Sequence, residues 1–581
     1  MGNYPMRIVI LNNNAEAADY GQNHRQGDDV ILPIGPTSKH YALENNWEIR
    51  ALGSLWSKEE YFKAKEDSEK RIKTLVAELN DYSKSVAKNF PLTVGDYFHF
   101  QLHIVIGQIH YNKFIIDSIQ KSINPDSWLL YQYQEQKIFM DFRPPPDSIF
   151  YDIFLLSPYY EKGVLLKLNS EQKETIKFQG KQSWKQAIKS ILPEVLVEKL
   201  TILRYKVRTN NWFSIGKIRL LLISFVYDWE FVFRDKDFKK GYFVDYNLSS
   251  GIINSDVIPR GLLTILKNSI IFGGLPVFDL TEQAKIMQGT LESFDKQVLK
   301  LVKKIKKYKA VLSTVLVFPM QNLIGHLAKT LDKPIVNWQH GEMNLYHDIF
   351  TESVETKYTT HYLSYGESVN PKYEKYIGQS SMKRVFTVGS TKKNVTWESS
   401  QYILYATGKW MKTAIPFIEV QDSDTRLFDA QQDILEYLSS IGDKHSVVFK
   451  GNNTARLNEI PFPCENIKID NRTPFTTFLK NAKLVILDSP ATTCLETCST
   501  SVPLFVLTGR SNWYEKPTKL LQKRAVLADT TEKLICNLKN YLNDNIYPAD
   551  INNREFLNEY GSQYTRERAV TNTIKALNEI L

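Results

Sequence analysis

The sequence predicts an α/β protein built on parallel sheets, and three observations carry that prediction. Short apolar runs alternate with amphipathic segments along most of the chain. The runs at 310–318, 334–338 and 401–406 are apolar on both faces, as strands covered by helices on each side must be. After Asn394 the strand–helix pattern restarts. With 581 residues the chain is too long for one core, so the restart predicts two Rossmann-like domains.

The elements follow in order. Residues 7–11 and 29–34 read as strands with a short helix after them. Residues 56–88 have helical spacing, and 97–119 read as a long, mostly buried helix. That helix carries His99, His103 and His110, expected as core or interface histidines, since no Glu lies between His99 and His103 to complete a metalloprotease motif. Phe142-Arg143-Pro144-Pro145-Pro146-Asp147 is a hard break, and the stretch from there to 208 is expected to be helical. A strand at 217–226, a helix at 283–307 and the pair of strands at 310–318 and 334–338 complete the first half. Strands at 360–365 and 384–388 lead to the restart, where strands at 401–406, 446–450 and 467–470 alternate with helices. The expected boundaries are 1–345 for the first domain with a helical insertion at about 60–210, 346–400 for the connection and 401–550 for the second domain. A helical segment at 551–581 is expected to pack back on the first domain.

Composition narrows the function. The net charge is +9 over the whole length, a mild basic bias that suits an anionic ligand. No basic run interleaved with aromatics appears; the densest, Lys303 to Lys309, ends a helix, where cations face water and the helix dipole. Nucleic acid is therefore not an expected partner. Cys494 and Cys498 lack two further ligands at zinc spacing, so no metal is expected and the thiols read as buried and reduced. The longest apolar stretch, 218–233, holds Arg219, Asp228 and Glu230 and is too short and charged to span a bilayer. The expected location is cytoplasmic, peripheral at the inner face of a membrane.

Ligands of open α/β sheets bind beyond the carboxyl ends of the strands. Polar turns fall there at Thr407-Gly408-Lys409, at Lys450-Gly451-Asn452 and at Asp488-Ser489-Pro490-Ala491-Thr492-Thr493. Ser489 suits an N-cap and Pro490 a first helical position. Free N–H groups there, with the Thr492 and Thr493 hydroxyls, would hold a phosphate, and Glu496 would accept from ribose hydroxyls. Lys450 would supply a mobile cation. Gln339-His340-Gly341-Glu342 ends a strand of the first half and is expected to face these turns, with His340 and Glu342 as acid–base or positioning groups. Read alone, the last turn is equally well a plain helix cap, Lys450 a strand-end lysine in water and the Gln339-His340-Gly341-Glu342 turn purely structural.

Taken together, the Gln-His-Gly strand end, the QYILYA strand, the lysine loop and ILDSPATTCLE…VPLFVL resemble GT-B glycosyltransferases of bacterial surface polysaccharide synthesis. They are similar to the capsule Kdo transferases, GT-B sialyltransferases and CDP-glycerol glycerophosphotransferases, over residues 310–507. The resemblance implies two Rossmann-like domains facing across a cleft, a nucleotide-sugar as co-substrate and no resident cofactor. It implies a glycan or lipid-linked glycan acceptor for a capsule- or lipopolysaccharide-type product. Ser489, Thr492 and Thr493 would meet phosphate and Glu496 ribose, with Gln339, Gly341, Gly389 and Ser390 lining the cleft. Gly451-Asn452 stands where many such enzymes carry His-Pro. The acceptor hydroxyl would be deprotonated by His340, Glu342, Asp228 or Glu230. A polyol-phosphate transferase, a nucleotide-sugar epimerase and a non-catalytic nucleotide- or sugar-binding protein remain as alternatives.

Overall fold

The computed structural model describes residues 6–132, 149–167, 194–209, 216–224, 227–247, 249–268, 280–341, 351–391, 395–408, 424–451, 466–489, 492–561 and 564–581. The fold is α/β, and its strands form three wholly parallel sheets. The first holds β1 (Arg7–Leu11), β2 (Val30–Pro33), β3 (Ser127–Gln132) and β4 (Gly163–Lys167), in the order β2-β1-β3-β4.

The middle sheet holds β5 (Ile218–Leu222), β6 (Tyr242–Tyr246), β7 (Ala310–Ser313), β8 (Ile335–Trp338), β9 (His361–Ser364) and β10 (Arg384–Thr387). Its order is β10-β9-β8-β7-β5-β6. The last sheet holds β11 (Tyr402–Ala406), β12 (Val447–Lys450), β13 (Lys468–Ile469), β14 (Ala482–Leu487), β15 (Leu504–Leu507) and β16 (Val526–Ala528). Its order, β13-β12-β11-β14-β15-β16, is that of the Rossmann fold, with the strand order reversing between β11 and β14. The middle and last sheets are the two Rossmann-like units of a GT-B-like arrangement.

Residues 1–345 thus hold two sheets where the sequence suggested one. The strand read at 7–11 and the strand read at 217–226 lie in separate sheets, because β1 is flanked by β2 and β3 while β5 is flanked by β6 and β7. The supposed helical insertion supplies β3 and β4. Their sequences, SWLLYQ and GVLLK, are too short and continuous to separate from a buried helix by periodicity. β9 and β10, within the expected connection, pair onto β8 and extend the middle sheet.

The helices follow from local chemistry. Helix Lys58–Val86 opens with a capping box between Ser57 and Glu60 and buries Ile72, Leu75, Val76 and Leu79 on one stripe. Helix His99–Ser122 is buried nearly all round. Together with helices Thr281–Ile305 and Pro319–Thr330 they fill one continuous core that joins Ile8, Ile10 and Trp128 of the first sheet to Leu221, Val311 and Ile335 of the middle sheet. Helix Arg566–Ile580 crosses back to cover the other face of the middle sheet with Val570 and Leu577. In the last sheet Leu404 and Val485 face one core while Ile403 and Ile486 face the other, which is why these strands read as unbroken apolar runs. Among the described residues, no helix is long and apolar enough to cross a membrane.

Candidate functional site

The chain leaves β11 at Thr407-Gly408 and leaves β14 at Asp488-Ser489, so both turns sit at the point where the last sheet reverses its strand order. Asp488 binds them together. It is 1% exposed, and it accepts hydrogen bonds from the Tyr405 hydroxyl at 2.6 Å, Thr407 Oγ1 at 2.5 Å and the Gly408 N–H at 2.7 Å. Burial pushes this carboxyl above its usual range, and the bonds from Thr407, Tyr405 and Gly408 oppose that shift. The two turns touch: a Cβ at Gly408 would lie 2.5 Å from the Ser489 Cβ, so only glycine fits. Asp488 engages its oxygens inside the protein, and the half-buried Ser489, Thr492 and Thr493 lie at the mouth of the crevice.

Helix Thr492–Cys498 follows the turn, and Pro490 and Ala491, read as its first residues, lie outside the described residues. It buries Cys494, Leu495, Thr497 and Cys498 and keeps Glu496 half-buried. Lys450, at the end of β12, donates to the Gly451 carbonyl at 2.8 Å, and burial lowers its pKa while Asp470 opposes the shift. Gly451 lies against Asn471, whose Oδ1 would be 2.2 Å from a Cβ at that position. Lys409 and Asn452 lie outside the described residues.

Two residues of this crevice escaped the sequence reading. Gln431, buried on helix Asp424–Ser440, donates to Thr407 Oγ1. Nothing in its helix marks it out. Arg510 follows β15, is 8% exposed, and its charge acts on both Asp488 and Tyr405. The strand-end rule applied to β15 would have found Arg510, in Thr508-Gly509-Arg510-Ser511.

Across the cleft, Gln339-His340-Gly341 leaves β8. Gln339 is buried, donating to the Gly341 carbonyl at 2.9 Å and accepting from the Tyr365 N–H at 2.8 Å, so the turn is held rigidly. Gly341 has φ +63°, a conformation glycine takes without strain, and a Cβ there would lie 3.9 Å from Thr492 Oγ1. The strand ends of the middle and last sheets therefore meet at these two residues. His340 is exposed beside that contact, and Glu342 lies outside the described residues.

The acidic candidates of the first half are buried, and Asp228 connects to the Gln339 turn through Tyr365. Asp228 is buried and accepts from the Tyr365 hydroxyl at 2.9 Å, the Thr391 N–H at 2.7 Å and Thr391 Oγ1 at 2.8 Å. Ser390 Oγ is 3.5 Å from it, and Gly389, with φ +93°, donates to the Ser364 carbonyl. These residues form a latch at the end of β10. Glu230 is buried and bridged to Arg234 at 2.5 Å. Neither carboxylate stands open to an acceptor hydroxyl, because each is engaged by internal donors. Among the described residues, no group of three or more His, Cys, Asp or Glu side chains is placed to hold a metal ion.

The molecule thus brings the polar strand-end turns of two Rossmann-like units together at the Gly341–Thr492 approach. The model of the LIC12162 family transferases matches residues 56–533, and the chain belongs to that family. Comparison with curated proteins found no match. Among solved structures, the chain is similar to a point mutant of Staphylococcus aureus TarM in complex with fondaparinux, alpha-GlcNAc-glycerol and UDP. That likeness has 12% identity and a TM-score of 0.32, covering 51% of this chain and 59% of TarM, less than two thirds of its length. It is also similar to a glycosyltransferase from Rickettsia africae (10% identity, TM-score 0.35, 63% of this chain and 99% of that one). A third similar structure is Acinetobacter baumannii MurG (12% identity, TM-score 0.32, 62% of this chain and 99% of that one).

Proposed function

We propose that this transferase moves a sugar from a nucleotide-activated donor to a glycan or lipid-linked glycan acceptor of a bacterial cell surface. The observation that carries the reading is the convergence at the strand-order reversal: Asp488 draws the Thr407-Gly408 and Asp488-Ser489 turns together, and Gly341 brings the opposite sheet to Thr492. In this reading the donor phosphate lies against Ser489, Thr492 and Thr493, the ribose against Glu496, and the acceptor enters past His340. As the bond from the anomeric carbon to the donor phosphate breaks, its electrons go to the phosphate oxygen, and Lys450 and Arg510 supply the nearby positive charge. The acceptor O–H gives its proton to His340 as its oxygen bonds the anomeric carbon. Gly451-Asn452 in place of His-Pro favours a donor phosphate held differently from those of the cytidine-nucleotide enzymes.

The test is incubation with a panel of nucleotide-sugars and lipid-linked acceptors, following free nucleotide and glycosylated product together. The expected result is release of one nucleotide matched by product, lost in His340→Ala with donor binding retained. Nucleotide binding without any transfer would instead identify a non-catalytic binding protein.

A further inference from the structure

The first sheet is additional to the two Rossmann-like units, and segments packed with it contact the last unit at two places. On one side, Lys39 of helix Pro36–Glu44 is 7% exposed and is ion-paired to Asp429 on helix Asp424–Ser440. The same helix is held through Arg426, which donates to the Gly53 and Trp56 carbonyls, the latter at 3.2 Å. A Cβ at position 53 would lie 2.4 Å from the Arg426 Nε, so the guanidinium approaches this closely only over glycine. Leu43 packs on Leu427 and Phe428 beside these polar contacts. Two residues beyond Asp429, Gln431 donates to Thr407, which donates to Asp488. On the other side, Lys58 Nζ donates to the Ser511 carbonyl at 3.0 Å, next to Arg510.

We propose that the N-terminal α/β unit is a brace for the donor crevice, with Lys39 as a positioning residue that fixes Gln431 on Thr407 through Asp429, and Lys58 fixing the Arg510 turn. The proposal rests on the donor-crevice reading only for what the brace serves. The first sheet shares its core with the middle sheet, so the brace ties the last sheet to the rest of the molecule at a place separate from the Gly341–Thr492 contact and from the core that joins Tyr362 and Tyr373 to Leu404 and Val485. The crevice is then held near its working spacing before any ligand arrives, and the ordering cost of binding is lowered.

The test measures amide hydrogen exchange in the full nucleotide-free chain, read at Gly408, whose N–H is held by Asp488. Lys39→Met should speed exchange there by about tenfold, with Lys39→Arg restoring protection. Unchanged exchange at Gly408 in Lys39→Met overturns the brace. If that variant does not fold, Asp429→Asn cuts the same contact from its more exposed partner and is read in the same way. Titration with UDP and CMP supplies the second readout, with an affinity loss of about tenfold expected in Lys39→Met for whichever binds. Equal affinity in the variant also overturns the brace. Failure of the wild type to bind any nucleotide would count against the donor reading, while the exchange result still decides the brace.

Discussion

Asp488 is the residue on which the crevice depends, because three donors from two turns converge on one buried carboxylate. Asp488→Asn keeps the shape but turns one acceptor oxygen into a donor facing other donors. It should lower unfolding free energy by about 1–3 kcal/mol, measured by urea denaturation, and weaken nucleotide binding with it. Glu496→Ala is the contrasting case: this half-buried side chain should leave the denaturation midpoint unchanged while weakening nucleotide binding. Equal affinity in that variant would remove Glu496 from the ribose site. The turns after β11 and β14 were legible because a small or hydroxyl-bearing run directly after a buried apolar strand marks its end. Gln431 was not, since a glutamine inside an amphipathic helix carries no positional signal. Asp228 and Glu230 show a related limit: a carboxylate near a strand end is visible in sequence, but the donors that engage it come from Tyr365, Thr391 and Arg234, two of them far along the chain.

At the scale of elements, caps and strand ends set the geometry. Ser57 accepts from the Glu60 N–H at 3.1 Å while Glu60 accepts from the Ser57 N–H at 2.8 Å. Ser57→Ala should cost about 1 kcal/mol and fray the helix next to Lys58, seen as faster exchange in its first turn. Gly341→Ala should cost about 1 kcal/mol from backbone strain at φ +63°, since its Cβ would meet Thr492 at an ordinary 3.9 Å. The long helices and the alternation of the last sheet were readable from periodicity. β3, β4 and β6 were not, because strands of five or six residues fix their partners only through tertiary pairing. Missing them merged the first two sheets into one.

At the scale of the whole molecule, the shared core of the first two sheets sets acid sensitivity. His99 and His103 lie stacked on helix His99–Ser122, with Nε2 atoms 3.1 Å apart and both side chains buried. Burial, reinforced by Lys357 and Lys73, lowers His99 to about 3 from 6.5, and burial holds His103 well below its ordinary value. The folded chain therefore binds fewer protons than the unfolded one between pH 6.5 and about 3. The stability from neutral imidazoles is fully present above pH 6.5 and declines as pH falls through that window. At pH 5 the loss is about 2 kcal/mol for each such histidine, so the urea midpoint should drop from pH 7 to pH 5, and His103→Gln should flatten that slope.

The central claim, that the crevice between β11 and β14 binds the nucleotide of a sugar donor, is tested most directly by a thermal-shift panel of CMP, CDP, UMP, UDP, GDP and ADP on the wild type. A ligand of the folded state at a hundred times its Kd contributes about 2.7 kcal/mol, enough for a clear rise in Tm. The account predicts that one base raises Tm and that Glu496→Ala reduces the rise. No shift from any of the six would contradict it.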